Sequence, residues 1–394
     1  MNIKTVLSLE DKLILSCIKI QPAVIELEKI NNLIPLIQDW DYFRLTCIDR
    51  GIGPLFYKKL PLLSNSVLIP IGIHTKLQQV YYKTLIRSTV LYEHFRRITA
   101  AFAVQGVSVV ALKGIYLSEW LYQDIGLRQF SDIDLLVKEE DGLKCIAMLV
   151  GLGYIQSVDL RTEFVKSHNE IIHYAPMIKE GVSIEIHIKL HGNSDRYHII
   201  LEEFWRNAHL VNINTIPVLA LCDKDLLIHL CIHLDKHFRV GHVQFTCFND
   251  ITNLLEKVGD TFNWEDFVNT CRLHKSEDVV FLYIVLVKKY MHARVPEYVI
   301  AQYSYLLTEV VEILFIKYLN GFTTPFSGVP FYVGNLKKIT SFSDRFRYVW
   351  DLVIPHRTFM KTKYNIIDHH MVIFYYPYHW WIGVKGIIKL MFNL

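Results

Sequence analysis

Three carboxylates dominate the chemistry this sequence makes available. Asp132 and Asp134 lie in the run Arg128-Gln129-Phe130-Ser131-Asp132-Ile133-Asp134-Leu135-Leu136-Val137. Ile133, Leu135 and Val137 alternate with Asp132, Asp134 and Leu136, the pattern of a strand. Side chains two apart on a strand share a face. The two aspartates therefore sit side by side, roughly 6–7 Å apart along the backbone. Anions that close repel, and burying either is costly without a partner. A divalent cation relieves both costs, and hard oxygen donors favour magnesium or manganese over zinc. A strand end with two solvated aspartates fits the motif alone equally well, so the surroundings decide.

Glu185 is the third carboxylate. In Val182-Ser183-Ile184-Glu185-Ile186-His187-Ile188-Lys189-Leu190 the isoleucines form one face and Glu185, His187 and Lys189 the other. Beside the aspartate strand, Glu185 completes a set able to hold two metal ions, the arrangement used for in-line phosphoryl or nucleotidyl transfer. Upstream, Val107-Ser108-Val109-Val110-Ala111-Leu112-Lys113-Gly114 reads as a strand that stops at the glycine, with a helix over 115–122. Free N–H groups at a helix start favour anions, although a lone Lys-Gly is more simply a β-to-α turn. Residues 139–149 read as a helix closed by Gly151 and Gly153. His168 to Tyr174 reads as a strand leading to the Glu185 strand, with a hairpin turn at Lys179-Glu180-Gly181.

Leu112-Lys113-Gly114, Arg128 four residues before Asp132-Ile133-Asp134, Gly153-Tyr154 and Glu185-Ile186-His187 together resemble the uncharacterised nucleotidyltransferase-like family of bacteria, within the polymerase-β-type nucleotidyltransferase superfamily. The likeness extends to Arg50-Gly51-Ile52-Gly53-Pro54-Leu55-Phe56-Tyr57 and to the stretch from His229 to Ile251. The Gly-Ser that opens the active-site helix of the wider superfamily is here Lys113-Gly114. The resemblance implies an α+β fold, with the carboxylates on antiparallel strands of a mixed sheet flanked by mostly helical N- and C-terminal regions. It implies Asp132, Asp134 and Glu185 as catalytic residues and ligands of two Mg2+ (or Mn2+) ions. Lys113, Gly114, Arg128, Ser131 and His187 would bind the nucleotide, ATP or another nucleoside triphosphate. Its monophosphate would pass to an acceptor hydroxyl, with release of pyrophosphate. Two other functions compete: a catalytically idle binding or adaptor module on this fold, and an Asp-x-Asp glycosyltransferase. The second expects a nucleotide-binding α/β half before the motif, where this sequence reads as helical.

The 394 residues suit two or three regions, divided as 1–105 (helical), 106–215 (α/β) and 216–394 (helical with an aromatic tail). With 52% hydrophobic and 21% charged residues, a large core is expected and disorder is not. A net charge of +3 and no basic aromatic run make RNA a poor acceptor beside a peptide, protein or small molecule. Seven cysteines without a Cys-x-x-Cys pair fit buried thiols in the cytoplasm. No signal peptide is expected, because Lys4, Glu10, Asp11 and Lys12 break the N-terminal apolar runs. Asp39 is expected to cap a helix from Trp40, and Lys83, Arg87, Arg96 and Arg97 to line the solvated face of a helix over 74–105, with a nucleotide-facing side as the alternative. His229, His233 and His237 share a helix face. That face suits packing first, a polar wall beside the nucleotide second and zinc least, without a His-Glu-x-x-His motif. Asn249-Asp250 reads as a helix start. Residues 371–392 mix aromatics with lysines. Burial on the core is their simplest fate, and a membrane surface or a protein partner the alternative.

Overall fold

The computed structural model describes residues 7–157, 172–192, 197–240, 243, 245–321, 345–346, 350, 353–354, 360 and 371–391. Among the described residues the chain is α+β, with helices packed around one seven-stranded mixed sheet. Its strands are β1 (Val110–Leu112), β2 (Asp132–Leu136), β3 (Ile155–Gln156), β4 (Met177–Lys179), β5 (Val182–His187), β6 (His209–Ile213) and β7 (Ile216–Ala220). They lie in the order β3-β4-β5-β2-β1-β7-β6. One continuous apolar cluster runs from Leu13 to Leu319. All seven cysteines are free thiols, and only Cys222 is not fully buried.

The chemistry-bearing strands are central in this sheet, and their direction differs from expectation. β2 runs antiparallel to β1 but parallel to β5, with Asp132 opposite Ser183, Asp134 opposite Glu185 and Leu136 opposite His187. The physical reason is the connection. Between β2 and β5 lie more than forty residues, including the helix Gly142–Gly151, enough for the crossover that parallel neighbours need. The antiparallel partner of β5 is β4, across a tight turn at Glu180 (φ 52°) and Gly181 (φ 73°). Both turn residues are left-handed, as a two-residue hairpin of this twist requires. Of the expected 168–174 strand, His168 to Ile171 lie outside the described residues, and His173 forms a single bridge to His187.

The long helix Ile71–Val104 crosses this sheet. Its Arg87 does not merely line a solvated face: one guanidinium nitrogen donates to the carbonyls of Ser131 and Gly181, both at 2.9 Å. It thereby ties together the starts of the two strands that carry the carboxylates. Arg96 and Arg97 stay on the surface, paired with Glu93. Asp39 caps its helix as expected, accepting from the Tyr42 N–H at 2.8 Å.

Two helix boundaries shift. The helix after β1 begins at Lys113 rather than at residue 115, and Lys113 itself takes a left-handed conformation (φ 43°). Gly114 is small for another reason. A Cβ there would meet the Phe130 ring at 2.7 Å. Asn249 and Asp250 do not start a helix; they sit inside Thr246–Val258 with their side chains buried.

The C-terminal stretch forms a helix, Val372–Met391, that contains Pro377. Val372 packs with Met360 in a small cluster of its own, whereas Phe374 stays 70% exposed and Trp381 56%. Among residues 371–381, none joins the main core cluster. Among the described residues, no single helix is long and apolar enough to cross a membrane.

The close approach of Gly114 to Phe130 makes a direct prediction. Gly114→Ala should destabilise the fold by about 1–3 kcal/mol, because the ring must move within a packed interior. Gly72→Ala, where an added Cβ meets nothing within 4 Å, should be neutral or stabilising by up to about 1 kcal/mol. Urea unfolding of both variants checks the contrast.

Candidate functional site

Asp134 is the centre of the cluster and is 2% exposed. Strand alternation and the parallel register bring it level with Glu185 on one face of the sheet. Each carboxylate oxygen has a partner. Oδ2 accepts from the Lys113 ammonium at 2.9 Å, and Oδ1 faces His187 Nε2 at 2.9 Å. His187 Nε2 is also 3.5 Å from Glu185 Oε2, and His173 Nδ1 stands 4.0 Å from the same oxygen. Asp132 lies one step along the face, half-buried, and no hydrogen bond or ion pair among the described residues engages its carboxylate.

The charges follow from this layout. Burial pushes the Asp134 pKa up, but Lys113 and His187 overcome it and hold the group well below the usual carboxylate range. Asp132 lacks such partners, so burial, with the nearby Asp134 charge, raises its pKa. Glu185 is lowered: burial opposes the charge, and the His187 contact outweighs it. For His187 burial disfavours the cation, but contacts with Asp134 and Glu185 raise its pKa overall. Lys113 is raised despite burial, because Asp134, Asp132 and Glu185 all favour its charge.

Behind Lys113 stands the histidine face of the helix Asp223–Val240. Lys113 Nζ donates to His233 Nε2 at 3.1 Å, which leaves the His233 proton on Nδ1, 3.5 Å from Cys247 Sγ. His237 Nε2 lies 3.3 Å from His233 Nε2. His229 is buried, and among the described residues neither of its ring nitrogens has a hydrogen-bond partner. Burial and the Lys113 charge hold both His229 and His233 well below the usual histidine pKa. Of these histidines, His233 is the one that contacts the site lysine.

Arg128 stands elsewhere in the arrangement. It is buried in a two-pronged pair with Asp250, at 2.9 and 2.6 Å, and Tyr122 donates to the same carboxylate at 2.8 Å. Its guanidinium is 5.8 Å from the Phe130 ring centre, the ring that closes on Gly114. Arg128 thus fixes the entry to β2 and the start of the Lys113 helix together. The Ser131 side chain is exposed, while its carbonyl is the one Arg87 holds. Lys113, Asp134, Glu185 and His187 come together with Asp132 beside them; Arg128 and Ser131 brace the strand.

His173 was not singled out for the site by sequence, whereas His233 and Arg87 were only alternatives for it. His173 follows a run with no clear boundary, and the contacts of His233 and Arg87 span long stretches of chain. One ligand atom each from Asp134, Glu185 and His187 lies within 4.8 Å of the others, so this group can hold a metal ion. Two carboxylates and an imidazole, next to an uncompensated Asp132, suit a divalent cation.

The model of one protein family, described as an uncharacterised nucleotidyltransferase, matches residues 37–292. None of the curated proteins compared with the chain matches it.

The lowered histidines give the fold a pH dependence with a defined sign. A histidine whose folded pKa is depressed stays neutral while the unfolded chain takes up its proton. Its stabilising effect is therefore complete above about pH 6.5 and is lost as pH falls below that value. His187, raised in the folded state, contributes in the opposite sense: fully below about pH 6.5, with loss as pH rises through its folded pKa. His229→Leu should thus lessen the acid-side loss of stability by up to about 1.4 kcal/mol per pH unit between pH 6.5 and 5. Urea midpoints of both proteins across that range measure the difference.

Proposed function

Because the chain belongs to the uncharacterised nucleotidyltransferase family, we propose that it transfers a nucleoside monophosphate from a nucleoside triphosphate to an acceptor hydroxyl, using the Asp132, Asp134 and Glu185 cluster. The observation that carries this reading is the parallel register of β2 and β5, which sets three carboxylates and a lysine around one spot. Phosphoryl chemistry needs positioned charge more than it needs covalent help from the protein.

Asp134, Glu185 and His187 would hold a divalent cation, Mg2+ or Mn2+, and Asp132 lies beside them. When bound, such an ion neutralises phosphate charge and lowers the pKa of a coordinated hydroxyl. The protein's own groups supply the rest. Asp132, with its raised pKa and unengaged carboxylate, is suited to accept the proton of the attacking hydroxyl. The Lys113 ammonium, fixed between Asp134 and His233, keeps positive charge at the site. Arg128 acts as a positioning residue: held by Asp250, it keeps Phe130 over Gly114. The acceptor is read as a peptide, protein or small molecule, in line with the modest net charge of +3.

Incubation with each α-labelled triphosphate, magnesium or manganese, and host extract tests this. Label should reach an acceptor with the wild-type chain. Asp134→Asn and Asp132→Asn should each lower transfer by about a hundredfold or more. Asp134→Asn should also lose Mn2+ binding, which Asp132→Asn should largely keep. Transfer that survives in both variants contradicts the assignment.

A further inference from the structure

We propose that Lys113 stands in the place of a second metal ion, so that this site takes one divalent cation rather than two. The inference rests on the nucleotidyl-transfer reading and concerns how its charge is supplied. Asp134 has two carboxylate oxygens, and they face different groups. Oδ1 faces His187 Nε2, which in turn approaches Glu185, and these three residues are the metal-holding group. Oδ2 is the oxygen that this group leaves over, and there the Lys113 ammonium sits at 2.9 Å.

Lys113 is built into that place rather than swung there from solvent. It is 9% exposed. Its backbone has a left-handed φ of 43°, a conformation that residues other than glycine rarely adopt. Its far side is held by His233 Nε2 at 3.1 Å, and His233 is oriented in turn by Cys247. An ammonium with acceptors on both sides has no lone pair to offer a metal, so it competes with an ion for Oδ2. Charge leads to the same count. Three carboxylates and one ammonium leave two negative charges, which one divalent cation balances and two would exceed. Removing Lys113 while keeping the carboxylates leaves three negative charges, which one divalent cation no longer balances, and frees Oδ2 for a second ion.

The test counts Mn2+ bound to the full-length chain without nucleotide, by electron paramagnetic resonance of free ion. Only ions lost in Asp134→Asn are scored. The wild-type chain should bind one, Lys113→Arg one, and Lys113→Met two, a doubling. Two ions on the wild type, or one on a folded Lys113→Met, overturns the inference. The wild-type and Lys113→Arg counts decide the matter even where Lys113→Met does not fold. Label transfer measured on the same preparations separates the two claims. Two ions with active transfer contradict the stand-in role alone, whereas no Asp134-dependent ion and no transfer contradict the nucleotidyl-transfer reading as well.

Discussion

A carboxylate removed from water must find positive charge or take up a proton, and Asp134 has found the first. Lys113 and His187 hold one oxygen each, and the surrounding structure makes those contacts possible. Lys113 reaches Asp134 because the strand before it ends in a left-handed turn and the helix starts at once. His187 reaches it because β5 lies parallel to β2 in a register that puts Glu185 opposite Asp134. A one-residue slip would turn Glu185 and His187 to the other face of the sheet and leave Asp134 with only its lysine.

The supports of this arrangement come from three parts of the chain. Arg87, on the long helix before the sheet, ties the starts of β2 and β5. Asp250, on a helix after it, locks Arg128 at the entry to β2. His233, on another late helix, closes on Lys113 from behind. Breaking a buried pair such as Arg128–Asp250 leaves a charge without compensation, a cost of about 3–5 kcal/mol. The helical regions therefore act on the chemistry through these few contacts, with most of their mass given to the core.

Much of this was legible in the residues. The period-two alternation around Asp132, Asp134 and Glu185 marked strands and faces, because side-chain direction is a local property. The Asp39 cap and the Lys179–Gly181 turn were readable for the same reason. Strand direction was not, since alternation looks the same in parallel and antiparallel pairs. The resemblance implies Arg128 as a nucleotide ligand, and nothing local announces its buried pair with Asp250, 122 residues away. Lys113 was read as a free positive charge for phosphates, and its two buried acceptors become visible only once the sheet and the histidine helix meet. For the aromatic stretch from residue 371, composition leaves burial on the core and a membrane or protein partner both open, because it does not say which surface covers it.

The central claim is that Asp134 organises a cation-dependent triphosphate site. Isothermal titration of the full-length chain with an uncleavable α,β-methylene triphosphate, with and without magnesium, tests it most directly. Asp134→Asn, which keeps the shape of the side chain and removes its charge, serves as the comparison. The account predicts binding to the wild-type chain only with magnesium present, and a loss of about tenfold or more in the variant. Equal affinity without magnesium, or equal affinity in Asp134→Asn, would contradict it.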